Sequence, residues 1–281
     1  MHLKAYIASI RMKQWLKNLM VFFPPLLSGA FLPMAMMSRG FLPFLAFCFA
    51  SSSTYLFNDI IDRRRDAAHP VKSLRPIAAG RVPVVGAVVL ALLLAVFSVL
   101  LSLKVSSTFL LYVAVYMVVS VAYTLLFKDM PIIDVFCIAL GFVLRLYGGG
   151  EAFNVQISDW LFLSVFLLAI FLSFGKRFSE QRILGEVAGS HRKTLEEYPE
   201  KFLESALYLS GATVLVTYSM YAITRPVMVY TVPLCMFGLL RYLMRIQRGD
   251  NGDPTESLLK DFPLLVTGVI WLFLVTWSIY Q

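Results

Sequence analysis

The sequence predicts an all-α, polytopic membrane protein with nine transmembrane helices and a cytoplasmic N-terminus. Three observations carry that prediction. Of 281 residues, 59% are hydrophobic and 15% are charged, with a mean hydropathy of +0.75, which excludes an ordinary soluble domain. The apolar residues come in long runs, each near the roughly 20 residues that a spanning helix needs. The Lys and Arg residues alternate between loops, crowding every second one.

The elements follow in order. Residues 1–17 carry Lys4, Arg11, Lys13 and Lys17 among Leu3, Ile7, Ile10 and Trp15. This reads as an amphipathic segment lying at the membrane interface, not a cleaved leader. The predicted spans are 19–37, 41–62, 84–103, 107–127, 131–149, 159–177, 203–223, 226–245 and 262–280. The first contains Pro24-Pro25 and is expected to begin irregularly. The fifth contains Arg145 and ends in Gly148-Gly149-Gly150, so its far end is expected to unwind. The loops 63–83 and 178–202 hold most of the polar sequence and are expected to cap a cavity mouth. All nine spans are read as one domain, residues 1–281. Cys48, Cys137 and Cys235 lie singly inside apolar runs, without metal or redox spacing, and read as packing residues.

Charge placement tests the count. With the N-terminus inside, the inward side holds 4 Lys/Arg in the N-terminal segment, 6 in 63–83, Lys128, 6 in 176–202 and 4 from Arg241 to Lys260. The other side holds Arg39, Lys104 and Arg225. A missing or extra helix scrambles this split. The net charge of +8 is therefore first a matter of topology, then of anionic substrates or lipids; nucleic acid is not an expected partner.

The most informative segment is Asn58-Asp59-Ile60-Ile61-Asp62-Arg63-Arg64-Arg65-Asp66. On a helix, Asp59, Asp62 and Asp66 fall within an arc of about 60°. Three carboxylates on one stripe repel each other unless a cation sits among them. A hard ion such as Mg²⁺, shared with substrate phosphates, suits such oxygen ligands. Acids at membrane depth are expensive and read as functional. The bland alternative is a solvated helix end neutralised by Arg63 to Arg65. Downstream, Lys72 and Arg75 are in a position to reach phosphate oxygens, with Pro76 and Gly80 fixing a turn. No Ser-His-Asp or Cys-His set is present, and His2, His69 and His191 are dispersed.

The pattern Asn-Asp-x-x-Asp-x-x-x-Asp at 58–66, followed by Arg75-Pro76-Ile77-Ala78-x-Gly80, resembles the UbiA-type intramembrane prenyltransferase superfamily. The resemblance covers nearly the whole chain. It implies nine transmembrane helices around a central cavity open to the cytoplasm, with Asp59, Asp62 and Asp66 holding Mg²⁺ that bridges to a diphosphate. The chain departs from the usual pattern after the sixth span. A second Asp-rich motif is expected there, but Phe174-Gly175-Lys176-Arg177-Phe178-Ser179-Glu180-Gln181-Arg182 has one acid and three bases.

One branch fits that departure. Gln14-Trp15-x-Lys17-Asn18, Gly175-Lys176-Arg177-x-x-Glu180 and Arg145 before Gly148-Gly149 resemble the decaprenyl-phosphate phosphoribosyltransferases. The resemblance implies a Mg²⁺-dependent transfer of the 5-phosphoribosyl group from 5-phosphoribosyl diphosphate to a polyprenyl phosphate. The products are polyprenylphosphoryl 5-phosphoribose and diphosphate. It further implies an inner-membrane enzyme facing the cytoplasm and a homo-oligomer, a trimer. So many phosphates call for Lys17, Lys72, Arg75, Lys128, Lys176, Arg177 and Arg182, with Asn58, Tyr123 and Glu180 completing the substrate set. Asp134 is either a ligand for a second Mg²⁺ or a ribose hydroxyl, or a helix N-terminal acid favoured by the dipole. Arg145 binds an anion or fixes a buried network. Two rivals stand beside this reading. A prenyltransferase acting on an aromatic or glycerol-phosphate acceptor would show a second acidic cluster. A transporter of an anionic solute would show inverted repeats. Neither feature is present.

Overall fold

The structure is a computed structural model, and it describes residues 2–29, 33–185, 193–199 and 201–280. Its helices are α1 (His2–Ser9), α2 (Phe23–Leu27), α3 (Pro33–Ile61), α4 (Arg63–Ala67), α5 (Val84–Leu103), α6 (Ser107–Ala122) and α7 (Ile133–Phe153). After these come α8 (Asp159–Leu184), α9 (Lys193–Glu197), α10 (Phe202–Ile223), α11 (Val232–Gln247), α12 (Pro254–Lys260) and α13 (Phe262–Tyr280). No strand occurs among the described residues.

Local chemistry sets the helix ends. Pro83, extended at φ −66°, opens α5, which has no charged residue until Lys104 beyond its last turn. The Ser106 hydroxyl accepts from the Phe109 amide at 3.0 Å and caps α6. Ser158 does the same for Leu161 at the start of α8. Asp253 accepts from the Thr255 and Glu256 amides to start α12.

Eight helices among the described residues are long and apolar enough to cross a bilayer. The predicted bounds of 84–103 and 262–280 match α5 and α13, and 107–127 matches α6 with the single π-type turn Tyr123–Phe127. The predicted span 19–37 is not one helix. Its first part belongs to a 3-10 stretch, Met12–Phe22, that runs into α2, and residues 33–37 open α3. At about 2.0 Å per 3-10 residue and 1.5 Å per α residue, Met12–Leu27 still gives about 30 Å of helical path, the thickness of a hydrocarbon core.

Two other expectations are corrected. The glycine triplet does not unwind, because α7 continues to Phe153. These glycines permit close packing: a Cβ on Gly149 would lie 2.3 Å from the Val21 carbonyl oxygen, and one on Gly148 would lie 2.7 Å from the Phe47 ring. Residues 178–184 are not loop but the last turns of α8. Part of the remaining stretch, including Gly189, His191 and Arg192, lies outside the described residues. The 63–83 segment carries α4 and a 3-10 turn, Lys72–Leu74.

The chain groups into two compact units. One comprises Met1–Pro24, Phe31–Lys128 and Leu144–Gln156; the other comprises Pro25–Ala30, Asp129–Val143 and Ile157–Gln281. The first unit buries Val21, Phe47, Phe109 and Val113 in one cluster and Leu56, Ile77, Val82 and Ala87 in another. The second buries Val135, Phe171, Phe174, Leu203 and Tyr242, with a smaller cluster of Ala222, Met228 and Val275. Outward faces stay apolar: Leu92, Phe97, Phe262 and Phe273 are exposed. Such surface is costly in water, and lipid covers it without that penalty.

Candidate active site

In the first unit the Asp motif straddles a helix break. α3 ends at Ile61, and Asp62 (φ −85°, ψ 1°) joins it to α4. The Asp62 amide donates to the Asn58 carbonyl at 2.9 Å, and the Asp66 amide to the Asp62 carbonyl at 2.8 Å. The helical register therefore passes through the junction. Asp59 and Asp66 are buried at 3% and 5% exposure.

The three carboxylates meet cations. Arg75 Nη1 donates to Asp59 Oδ1 at 3.1 Å and to Asp66 Oδ2 at 2.5 Å, so one nitrogen joins two acids. Arg11 also donates to Asp59 Oδ1, and Lys128 to Asp62 Oδ1. Burial pushes the Asp66 carboxyl above its ordinary value, against the lowering effect of Arg75 and Lys72. Among the described residues no three His, Cys, Asp or Glu side chains converge as a ready metal cluster.

Local folding explains these positions. The Arg75-to-Gly80 motif forms a turn in which the Ala79 amide donates to the Arg75 carbonyl at 2.8 Å and the Arg81 amide to that of Pro76 at 2.9 Å. Gly80 takes φ +69°, which glycine adopts without strain. Ile77 and Val82 plug this turn into the cluster around Leu56. The π-type turn at the end of α6 adds a residue before Lys128, whose amide donates to the Tyr123 carbonyl at 2.8 Å. Asn58 Oδ1 accepts from Thr124 Oγ1 at 3.3 Å.

The N-terminal motif docks on α3. Trp15 Nε1 donates to Ser52 Oγ at 2.9 Å, and Ser52 Oγ donates to the Ile10 carbonyl at 2.8 Å. Asn18 donates to Ser51 Oγ at 3.2 Å and to Cys48 Sγ at 3.3 Å. Arg145 belongs to this network: its Nε donates to Asn18 Oδ1 at 2.7 Å and its Nη2 to the Tyr116 hydroxyl at 2.9 Å. Of its two expected roles, the geometry displays the buried network. Lys17, half-buried, is the next residue along.

The sequence reading missed Arg11, taken there only as an interfacial charge. It sits at φ 57°, and its guanidinium lies 5.4 Å from the Tyr55 ring centre. Its link to Asp59 spans 48 residues, and no spacing rule reports such a contact.

The second unit holds a separate charged network. Arg177, 2% exposed, donates from Nε to Asp134 Oδ2 at 2.7 Å and from Nη1 to Glu180 Oε2 at 2.9 Å. Asp134 is fully buried in the first turn of α7. Arg182 Nη1 donates to the Gln247 carbonyl at 2.5 Å, and Lys176 is half-buried. The loop after α11 braces this stretch: Ser179 Oγ donates to the Asp250 carbonyl at 2.7 Å and accepts from the Gly252 amide at 3.0 Å.

Comparison with known proteins agrees with these motifs. Residues 22–266 match the model of the UbiA prenyltransferase family. The chain belongs to this family. Over 98% of its length it is 34% identical to a decaprenyl-phosphate phosphoribosyltransferase of Mycolicibacterium smegmatis, covering 92% of that protein. It is 32% identical to the Corynebacterium glutamicum protein of the same name, covering 98% of this chain and 86% of that one. By structure it is similar to a UbiA homolog from Archaeoglobus fulgidus bound to GPP and Mg²⁺, with a TM-score of 0.76 at 20% identity over 99% of this chain and 100% of that one. That likeness concerns the fold; membership of the UbiA family, together with eight helices among the described residues that are long and apolar enough to cross a bilayer, makes the chain a multi-pass membrane protein.

Proposed function

We propose that the protein transfers the 5-phosphoribosyl group from 5-phosphoribosyl diphosphate to a polyprenyl phosphate, releasing diphosphate. The observation that carries this reading is whole-length similarity to the phosphoribosyltransferases, joined to the Asp motif and to the basic stretch where a second acidic motif would stand. The carboxylates suit a divalent ion: Asp59 and Asp66 already share one cationic nitrogen, and Mg²⁺ binds through one or two carboxylates plus substrate phosphates. Asp59, Asp66 and Asp62 would hold it, and when bound it would neutralise the diphosphate leaving group.

The remaining chemistry falls to the chain itself. The C1–O bond to diphosphate breaks, and an oxygen of the acceptor phosphate forms the new bond to C1. That phosphate is already ionised near neutrality, so no general base is required. Arg75, Lys72, Lys128 and Arg11 supply positive charge for phosphate oxygens, and positioning and electrostatics provide most of the rate. The polyprenyl tail needs only the apolar outer faces of the helices. In this reading Met12–Leu27 is the first of nine crossings. The N-terminus is cytoplasmic and so is the site, on the charge split of the loops. A homo-oligomer remains part of the proposal.

The test offers purified protein labelled 5-phosphoribosyl diphosphate with polyprenyl phosphates of several lengths, and separately a prenyl diphosphate with an aromatic acid. A polyprenylphosphoryl 5-phosphoribose product that disappears in EDTA is expected. Prenyl transfer without phosphoribosyl transfer would overturn the reading.

A further inference from the structure

Two guanidinium groups converge on one carboxylate oxygen in the first unit. Asp59 Oδ1 accepts from Arg11 Nη2 and, at 3.1 Å, from Arg75 Nη1. The two arginines are not equivalent. Arg75 reaches Asp66 as well, at 2.5 Å, and Ile77 and Val82 plug the turn that carries it into the Leu56 cluster. Arg11 meets Asp59 as its one carboxylate among the described residues. Its guanidinium also lies 5.4 Å from the Tyr55 ring centre, within range of a cation–π contact on the same helix. Arg11 is therefore the less firmly held of the two.

The backbone that presents Arg11 is pinned on both sides. Arg11 takes φ 57°, a region uncommon for a residue with a side chain. Such outliers cluster at ligand clamps and switch regions. Before it, the Ile10 carbonyl accepts from Ser52 Oγ at 2.8 Å; after it, Trp15 Nε1 donates to the same Ser52 Oγ at 2.9 Å. Upstream, α1 lies so close to the start of α5 that a Cβ on Gly86 would meet the Tyr6 hydroxyl at 2.1 Å. The side chain of Arg11 is left as the movable part. A divalent ion needs the carboxylate oxygens that cations occupy in its absence, so one cation has to yield. We propose that Arg11 is that resident counter-cation: it neutralises Asp59 while the metal site is empty, gives up that carboxylate to the ion, and then pairs with the diphosphate. The ion releases Arg11 and the diphosphate supplies its new anion, so each ligand strengthens the binding of the other. This rests on the metal assignment in the proposed function.

Equilibrium dialysis of full-length protein in detergent counts bound Mg²⁺ without any turnover. In the absence of diphosphate, Arg11→Met is expected to bind Mg²⁺ about 10-fold more tightly than the wild type, because no ion pair has to be broken. With inorganic diphosphate at one concentration for both proteins, that advantage should vanish or reverse. Simple charge repulsion predicts tighter binding in both conditions, and a purely structural arginine predicts weaker or unchanged binding in both; either result overturns the proposal. Lys13→Met, which removes an exposed charge two residues away, is the control and should shift the affinity less than about 2-fold. A second measurement needs no variant. Modification of wild-type Arg11 by phenylglyoxal, read by peptide mass spectrometry, should quicken about 5-fold when Mg²⁺ is added and slow again with diphosphate. A rate indifferent to both overturns the proposal. Wild-type protein that binds no Mg²⁺ in either condition removes the metal assignment and the proposal with it. The expected Mg²⁺ behaviour without phosphoribosyl transfer removes only the functional reading.

Discussion

Asp59 and Asp66 share one guanidinium nitrogen of Arg75, Asp59 also pairs with Arg11, and Asp62 pairs with Lys128. Replacing any of the three acids with Ala is expected to lower turnover more than about 100-fold, as loss of a metal ligand does. D59A and D66A should also lower the melting temperature more than D62A, because their side chains are 3% and 6% exposed against 17%. Near-normal turnover in EDTA would remove the metal assignment. A second residue-scale expectation concerns Asp261. The Arg241 guanidinium, bonded at 3.0–3.1 Å, is the main cause holding its carboxyl below the ordinary 3.8. A depressed folded value means stability that is fully present above pH 3.8 and is lost as pH falls through the folded value. Asp261→Asn should therefore melt with less pH dependence below 3.8 than the wild type, and identical acid profiles would rule out this linkage.

Helix packing makes glycine identity testable at the scale of elements. A Cβ on Gly149 would collide with the backbone of Val21 at 2.3 Å, whereas one on Gly238 in α11 would meet nothing nearer than 3.9 Å. Gly149→Ala is expected to cost about 1–3 kcal/mol by overpacking. Gly238→Ala should be neutral or gain up to about 1 kcal/mol from helix propensity. Thermal melts in detergent compare the two, and equal melts would show that α7 does not pack this closely. Gly252 presents the same problem in a loop, where a Cβ would lie 2.8 Å from the Lys176 Cα and from the Ser179 Cβ. Gly252→Ala should release the brace behind the basic stretch of α8 and reduce turnover before it reduces expression.

The whole molecule is ordered by its charge pattern. If Met12–Leu27 crosses the bilayer together with the eight long helices, a reporter fused after Gln281 lies outside the cytoplasm, and a tag inserted at residue 189 lies inside. With the N-terminus cytoplasmic, finding the two reversed, Gln281 inside and residue 189 outside, means that the 3-10 stretch lies along the interface and does not span. Neutralising Lys176 tests the donor or acceptor phosphate contact separately from topology. Loss of a charge-assisted phosphate contact should raise an apparent KM by about 10- to 150-fold, measured with each substrate varied in turn. Arg177 should behave differently. Removing one partner of its buried pair with Asp134 costs about 3–5 kcal/mol, so Arg177→Met should fail in folding before it fails in substrate binding.

What the sequence determined by itself is whatever depends on near neighbours. Runs such as 84–103 and 262–280 reveal their ends because a spanning helix must stay apolar along its length and meets Lys104 or Asp261 at its limit. The Asp motif shows because its three acids recur within two helical turns. The family's short motifs are legible for the same reason. The tertiary structure decided whatever depends on contacts between distant residues. The glycine triplet looked like a place to unwind until Val21 and Phe47 filled the space against it. Arg177 looked like a phosphate contact, but the fold buries it between Asp134 and Glu180. Arg11 gave no signal, because its partner lies 48 residues away. A charge has no periodicity of its own, and burial assigns its partner.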